Sequence, residues 1–175
     1  MNNLIAFYKG EVVHPDGYTL EKILAEGDYW LEAKHNYIQW LFPLKKPSEA
    51  VPGSPIISEL EVELFRSDIE LQRKLKLSFQ RMLGFYGFNL SVDNNNHPIV
   101  VKGFDFDKRK PEWLIPQNHN FSRITRILES LTLLGLPDMA SLFFAALKEL
   151  FQKESSTIGW TTYRFWEQAV GQVAG

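Results

Sequence analysis

Two arginines three residues apart are the side chains best suited to bind a negatively charged ligand. Arg123 and Arg126 follow Asn120 near the start of a predicted helix, where free backbone N–H groups also favour anions. A guanidinium can donate two parallel hydrogen bonds to a carboxylate or phosphate. Two interpretations are open, because the arginines could instead pair with carboxylates of this chain, such as Glu32 or Glu129.

A second group of polar residues shares one side of a helix predicted over residues 28–42, which Pro43 would end. Large apolar side chains cover roughly 200° of the circumference of this helix. The polar residues on the remaining arc are Glu32, His35, Asn36 and Gln39. They either face solvent and satisfy nearby backbone groups, or they form the floor of a groove in which Trp40 or Tyr37 holds an apolar part of a ligand.

Other catalytic chemistry finds little support in the sequence. The chain has no cysteine, which excludes thiol nucleophiles, disulfides and thiolate metal sites. The four histidines lack zinc-site spacing, and no phosphate-binding loop, nucleophile elbow or dinucleotide fingerprint is present. We therefore predict no catalytic residue, no cofactor and no metal site. The alternative is an enzyme that uses His35 or His119 for acid–base chemistry beside Arg123 and Arg126.

The composition indicates one ordered domain over residues 1–175. Hydrophobic residues make up 45% of the 175 positions and aromatic residues 14%, which is more than a disordered chain carries. A net charge of −2 gives no general attraction to nucleic acid. No segment approaches the roughly 18 consecutive apolar residues of a membrane span. We therefore expect a cytoplasmic protein with neither a nucleic-acid partner nor a membrane span.

The hydrophobic pattern predicts a mainly α-helical fold of about six or seven helices with one small β-hairpin near residues 88–101. The hairpin is predicted because apolar and polar residues alternate beside a turn-forming tract at residues 93–98. The clearest helix carries an apolar stripe from Leu71 to Tyr86, and residues 104–117 are predicted to be irregular. The candidate helix starts lie at Asn3, Thr19, Asp28, Ser58, Ser67 or Asp68, Asn118 or Asn120, Pro137, and Thr161 or Thr162.

Four motifs are spread over most of the chain: FYxG at residues 7–10, HxYIQWLFP at 35–43, SFxxMLxFYG at 78–87 and NxxRITRILxSLxxLG at 120–135. Together they resemble the conserved N-terminal domain of the opioid growth factor receptor family. The animal protein of that family is a met-enkephalin receptor associated with the nucleus, is unrelated to the seven-helix opioid receptors and regulates cell growth. The resemblance implies a non-catalytic binding or regulatory domain, and it transfers no ligand-contact residue.

We therefore expect a peptide or small anionic ligand to lie in a groove built from both polar groups. The arginines would bind its carboxylate or phosphate, and the aromatic side chains would contact its apolar part. The residues expected to contact the ligand are His35, Gln39, Trp40, Asn120, Arg123 and Arg126. A third interpretation is a protein–protein adaptor that binds its partner through the proline-rich loop of residues 43–57.

Overall fold

The computed structural model describes residues 3–171, and within them it contains ten α-helices and one two-stranded antiparallel sheet. The mainly helical class is confirmed, but there are more helices than the six or seven predicted. Helix α7 has no counterpart among the predicted elements, and α3 and α4 both lie within the single helix predicted over residues 28–42. The elements are α1 (Leu4–Lys9), α2 (Leu20–Ala25), α3 (Asp28–Ala33), α4 (Ile38–Leu41), α5 (Glu59–Ser67), α6 (Ile69–Tyr86), β1 (Phe88–Val92), β2 (Pro98–Lys102), α7 (Phe106–Trp113), α8 (Asn120–Leu133), α9 (Pro137–Ile158) and α10 (Trp160–Gly171).

Helices α5 and α6 begin at side-chain caps. The Ser58 hydroxyl accepts from the backbone N–H of Glu61, whose carboxylate accepts in return from the N–H of Ser58. The Asp68 carboxylate accepts from the N–H groups of Glu70 and Leu71, the second and third residues of α6, and Gly87, with a φ of 88°, follows the end of α6. These caps satisfy backbone groups that a helix leaves free at its termini. The predicted apolar stripe of α6 is confirmed as part of the core.

The prediction of one helix over residues 28–42 is wrong, because the chain leaves the helical path after Ala33 and resumes it at Ile38. A continuous helix would bond the carbonyl oxygens of Leu31 and Lys34 to backbone N–H groups four residues later. Side chains take that role here, since Leu31 O accepts from Tyr37 and Arg123, and Lys34 O accepts from Arg123. Tertiary hydrogen bonds thus replace helical ones, and the polar arc of residues 32–39 does not form on one helix.

The predicted hairpin is confirmed, with Leu90 opposite Val100 in an antiparallel register. The prediction that residues 104–117 are irregular is wrong over α7, a helix of eight residues. The middle of α7 is polar, so the sequence shows no apolar stripe there. Only Phe106 and Trp113, at the two ends of the helix, are buried. The buried rings hold α7 against the end of α6, where the Arg109 Nε donates to Phe85 O at 2.8 Å.

Helix α8 packs against both α9 and α10. The predicted stop after α8 is confirmed, since Gly135 has a φ of 95° and Pro137 begins α9. Helix α9 continues to Ile158, five residues beyond the predicted end near Lys153, with one non-helical residue at Glu154. Within residues 3–171, no helix is both long enough and apolar enough to cross a membrane.

The proline-rich segment of residues 43–57 is anchored to the helices near both ends. The hydroxyl of Ser130 on α8 donates to Pro43 O at 2.9 Å, and the N–H of Ile57 donates to Leu44 O at 3.0 Å. Lys46 also forms an ion pair with Glu129 at 3.0 Å. These contacts place the segment along α8, beside the arginines that could carry function.

Candidate functional site

Arg123 lies beneath the irregular segment between α3 and α4 and is only 6% exposed. Its Nη1 donates to Leu31 O at 2.9 Å, and its Nη2 donates to Lys34 O at 2.6 Å. The guanidinium also lies over the Tyr37 ring, with 5.5 Å from Cζ to the ring centroid. Within residues 3–171 it forms no ion pair with a carboxylate. Arg123 is therefore a buried cation whose direct contacts are carbonyl oxygens, a histidine nitrogen and an aromatic face rather than a carboxylate, although the charge of Glu32 acts on the same neighbouring side chains.

Two exposed histidines lie directly above Arg123. The His35 and His119 rings meet edge to face, with 5.6 Å between their centroids. Arg123 Nη2 lies 3.2 Å from His35 Nδ1, and a guanidinium can only donate, so this nitrogen accepts and carries no proton. His119 Nε2 lies 2.8 Å from Glu32 Oε1, and a carboxylate accepts, so this nitrogen donates. We call Glu32, His35, His119, Asn120 and Arg123 the imidazole cluster.

A chain of hydrogen bonds ties the imidazole cluster to the core. Asn120, which is fully buried, donates from Nδ2 to Glu32 Oε2 at 3.0 Å and accepts from the Tyr86 hydroxyl at 3.2 Å. Trp113 Nε1 in turn donates to Tyr86 O at 3.1 Å. Burial raises the pKa of Tyr86 well above its usual value, so its hydroxyl remains a donor. The cluster is therefore held from below by neutral donors whose positions are set by packing.

The remaining expected contact residues lie in different surroundings. Gln39 is 3% exposed and donates from Nε2 to Ser48 Oγ at 3.4 Å, while its Oε1 has no hydrogen-bond partner within residues 3–171. Trp40 packs edge-on against Phe7, with ring centroids 5.2 Å apart. Arg126 donates to Phe42 O at 3.0 Å. The structure therefore brings His35, Asn120 and Arg123 together with Glu32 and His119, and directs Gln39, Trp40 and Arg126 toward other contacts.

Burial also shifts the pKa values of Arg126 and Tyr37. Burial lowers the pKa of the Arg126 guanidinium from its usual value, and the nearby Glu129 carboxylate opposes that change. Burial raises the pKa of Tyr37 to about 12, against the opposing charge of Arg123. Tyr37 is therefore a neutral donor near pH 7, and its hydroxyl holds Leu31 O at 2.8 Å.

The imidazole cluster can offer hydrogen bonds and positive charge to a ligand. Within the described part of the chain, no group of three histidine, aspartate or glutamate side chains is arranged to hold a metal ion. Among residues 3–171, His35 Nε2 and His119 Nδ1 have no hydrogen-bond partner, and both rings belong to exposed residues. A ligand lying across the rings would meet both nitrogens with the positive charge of Arg123 beneath them.

His119 should make stability sensitive to mild acid. Its side chain is 46% exposed, and its pKa is lowered chiefly by this partial burial and further by Arg123 and His35, against the opposing effect of Glu32. Because the folded-state pKa lies below the usual value of about 6.5, the folded state resists taking up this proton. Stability is complete above about pH 6.5 and is lost as the pH falls through the lowered pKa. His119→Gln should therefore lose less unfolding free energy than the unaltered protein between about pH 8 and about pH 5.

Urea unfolding at both pH values measures this difference. His97→Gln serves as the control, because the His97 side chain is 74% exposed in the hairpin turn and lies outside the imidazole cluster. A His119→Gln protein that loses as much stability in acid as the unaltered protein would contradict the assignment.

Comparison with known proteins gives the chain a family. Residues 1–170 match the model of the opioid growth factor receptor conserved region. The mouse opioid growth factor receptor is 40% identical over 136 residues, which are 75% of this chain and 21% of the mouse protein. The human receptor is 37% identical over 157 residues, which are 86% of this chain and 22% of the human protein.

A receptor-like relative shows the same pattern of coverage. Opioid growth factor receptor-like protein 1 of Xenopus tropicalis is 36% identical over 155 residues, or 86% of this chain and 28% of that protein. The chain thus spans less than a third of each of these relatives, and no solved structure matches it. Because the family model covers nearly the whole sequence, this chain belongs to the family defined by the opioid growth factor receptor conserved region.

Proposed function

We propose that this domain is a non-catalytic binding domain that takes a peptide or small anionic ligand at the imidazole cluster. The observation that carries the proposal is the buried guanidinium of Arg123, which has no carboxylate partner within residues 3–171 and lies under two exposed imidazoles. A buried charge without an ionic partner is costly unless something compensates it. An anion bound across His35 and His119 would supply that compensation.

The imidazole rings suit such a ligand because each can present an N–H toward it. The His35 ring already receives a hydrogen bond at Nδ1, which leaves its proton on the exposed Nε2. Uptake of a proton by His119 at Nδ1 would give the ligand a second donor. A carboxylate bound by two such charge-assisted hydrogen bonds would resemble the bidentate recognition expected from the sequence.

The names of the relatives suggest an opioid peptide as the first ligand to test. Several relatives are named as receptors for an opioid growth factor, but this chain matches only about a fifth of their length, so their activity is not transferred with the fold. Within the proposal, Gln39, Trp40 and Arg126 extend the ligand-contact region toward Phe42. The cytoplasmic location expected from the sequence likewise remains a prediction.

Calorimetric titration with two probes, met-enkephalin and inorganic phosphate, tests the proposal. The domain should bind at least one of them, and the double variant His35→Ala/His119→Ala should bind it at least about tenfold more weakly, as loss of charge-assisted hydrogen bonds requires. Met-enkephalin with an amidated C-terminus should show a similar loss of affinity for the unaltered domain if the peptide carboxylate occupies the site.

The matched control is His97→Ala, which removes an exposed imidazole outside the cluster and should leave the affinity unchanged. Both altered histidines are exposed, so the double variant should fold, and its thermal unfolding checks this. Failure of both probes to bind, or equal binding by the double variant, would overturn the proposal.

A second candidate function is catalysis with His119 as a general base. The contact of His119 Nε2 with the Glu32 carboxylate at 2.8 Å favours it, because an oriented, neutral imidazole with a lowered pKa is what proton abstraction needs. Hydrolysis of nitrophenyl esters and nitrophenyl phosphates tests this candidate. A hydrolysis rate above background that His119→Ala abolishes would support the catalytic candidate. If neither the esters nor the phosphates are hydrolysed, this candidate fails.

A further inference from the structure

A groove between β2 and α9 lies outside the imidazole cluster. Its volume is about 440 Å³, within the size range of small ligand pockets. On one side it is lined by four consecutive strand residues, 99–102. On the other side it is lined by one face of α9, formed by Leu142, Ala145, Ala146, Glu149, Leu150 and Lys153.

Strand β2 presents its backbone edge to this groove, and not only the side chains of one of its faces. Alternate residues of a strand point to opposite faces, so a cavity that touches four residues in succession lies along the backbone itself. Helix α9 turns residues three and four apart toward the same side, as the spacing of its lining residues shows. The groove is therefore a channel that runs parallel to the edge of β2.

The hairpin register shows which backbone groups of β2 point into that channel. Gly103 N donates to Gly87 O, and Asp93 N donates to His97 O, each at 2.8 Å. Hydrogen-bonded pairs alternate along an antiparallel ladder, so the odd-numbered residues of β2 bond to β1. Val100 and Lys102 therefore direct their N–H and C=O groups away from β1. Pro98 fits this pattern, because a proline is tolerated where its missing N–H would face outward.

The walls of the channel are apolar, and its rim carries net positive charge. Ala145 is exposed and Ala146 nearly buried, and their small side chains leave room above α9. Lys102 lies at the end of the strand, with its Nζ 4.6 Å from the centroid of the Phe106 ring, and Lys153 lies on the helix. With the single carboxylate of Glu149, the rim has two cations and one anion.

We propose that this groove binds an extended segment of a partner protein, which adds to β2 as a third strand. The segment would bond to the outward backbone groups of Val100 and Lys102 and place alternate apolar side chains against Ala145 and Leu150. An acidic side chain of the segment would meet Lys102 and Lys153, because the rim charge favours a negative partner. Addition of a strand to an unpaired sheet edge is an established mode of peptide recognition.

Titration with a synthetic peptide tests this inference. The probe is acetyl-Asp-Val-Thr-Val-Thr-Val-Asp-amide, which alternates apolar residues and is acidic at its ends. Binding should weaken at least about tenfold in Val100→Pro, which removes an outward N–H, and in Ala145→Trp, which fills the channel. The same peptide with lysines in place of its aspartates should also bind at least several-fold more weakly.

Ser141→Trp is the matched control, because it places the same side chain at an exposed position of α9 that does not line the groove. Ala145 is exposed, so Ala145→Trp keeps the test decisive if Val100→Pro fails to fold. No binding of the acidic peptide, or equal binding by Ala145→Trp and the unaltered domain, would overturn the inference. The double histidine variant should bind this peptide normally, which separates the outcome from that of the proposed function.

Discussion

Replacing Arg123 by methionine should lower the free energy of unfolding by about 2–5 kcal/mol. The substitution leaves the partly buried Lys34 O without its donor, and an unsatisfied group of this kind costs about 1–3 kcal/mol, while Leu31 O loses one donor and keeps the Tyr37 hydroxyl. It also removes the guanidinium from the Tyr37 ring. Chemical denaturation at neutral pH measures the change, and a constant denaturant dependence would show that two-state unfolding is retained.

The control for this substitution is Arg164→Met on α10. Arg164 is exposed, so its replacement should change stability by less than about 0.5 kcal/mol. Arg123→Lys should also destabilise the fold, because an ammonium cannot reproduce the forked geometry that reaches both carbonyl oxygens. A stability loss below about 1 kcal/mol in Arg123→Met would show that the segment between α3 and α4 is held by other contacts.

Replacing Gly87 by alanine should destabilise the fold by a similar amount, about 2–5 kcal/mol. Gly87 has a φ of +88°, and an added Cβ would lie 2.7 Å from the Phe106 Cα. The positive φ alone costs a residue with a side chain about 1–2 kcal/mol. The backbone clash adds to it, because α7 would have to move away from the end of α6. Thermal or urea unfolding of the variant gives the value.

A second glycine in the same motif, Gly84, provides the matched comparison. It lies in the last turn of α6, is exposed, and an added Cβ there would meet no atom within 4 Å. Gly84→Ala should therefore stabilise the fold by about 0.5–1 kcal/mol through helix propensity. Equal effects of the two substitutions would contradict the close approach of α7 to Gly87.

Local sequence signals predicted the parts of the fold that local interactions determine. The capping residues Ser58 and Asp68 bond to N–H groups within three residues, and the stop at Gly135 and Pro137 is equally local. The hairpin follows from the alternation of apolar and polar residues beside a turn-forming tract. In each case the residues that specify the element lie next to it in the sequence, so a single sequence is enough to find them.

The errors arose where distant residues override local preference. The helix break after Ala33 depends on Arg123, which lies about ninety positions further along the chain. The pattern of residues 28–42 alone does not predict this break. Helix α7 was missed because its two buried aromatic residues, Phe106 and Trp113, are separated by a charged stretch with a proline. Contacts between residues far apart in the sequence form when the chain packs, and neither composition nor periodicity predicts them.

The membership of the imidazole cluster can be predicted only in part, for the same reason. His35, Asn120 and Arg123 were identified from their types, and the structure brings them together. Glu32 is predicted on the polar arc of one helix over residues 28–42, whereas it lies on the short helix α3, which ends at Ala33. Tyr86 was predicted only as part of an apolar stripe, and its hydrogen bond to Asn120 joins residues 34 positions apart. The chemistry of a side chain can be read from the sequence, whereas its partners depend on the fold.

The most direct test of the binding proposal is the NMR spectrum of the histidine side chains during addition of met-enkephalin. The imidazole signals of His35 and His119 should shift together and saturate at the same peptide concentration, while the signal of the exposed His97 stays in place. Such a result would locate the ligand above Arg123. Unchanged signals from His35 and His119 at a peptide concentration that calorimetry shows to be saturating would contradict the proposed site.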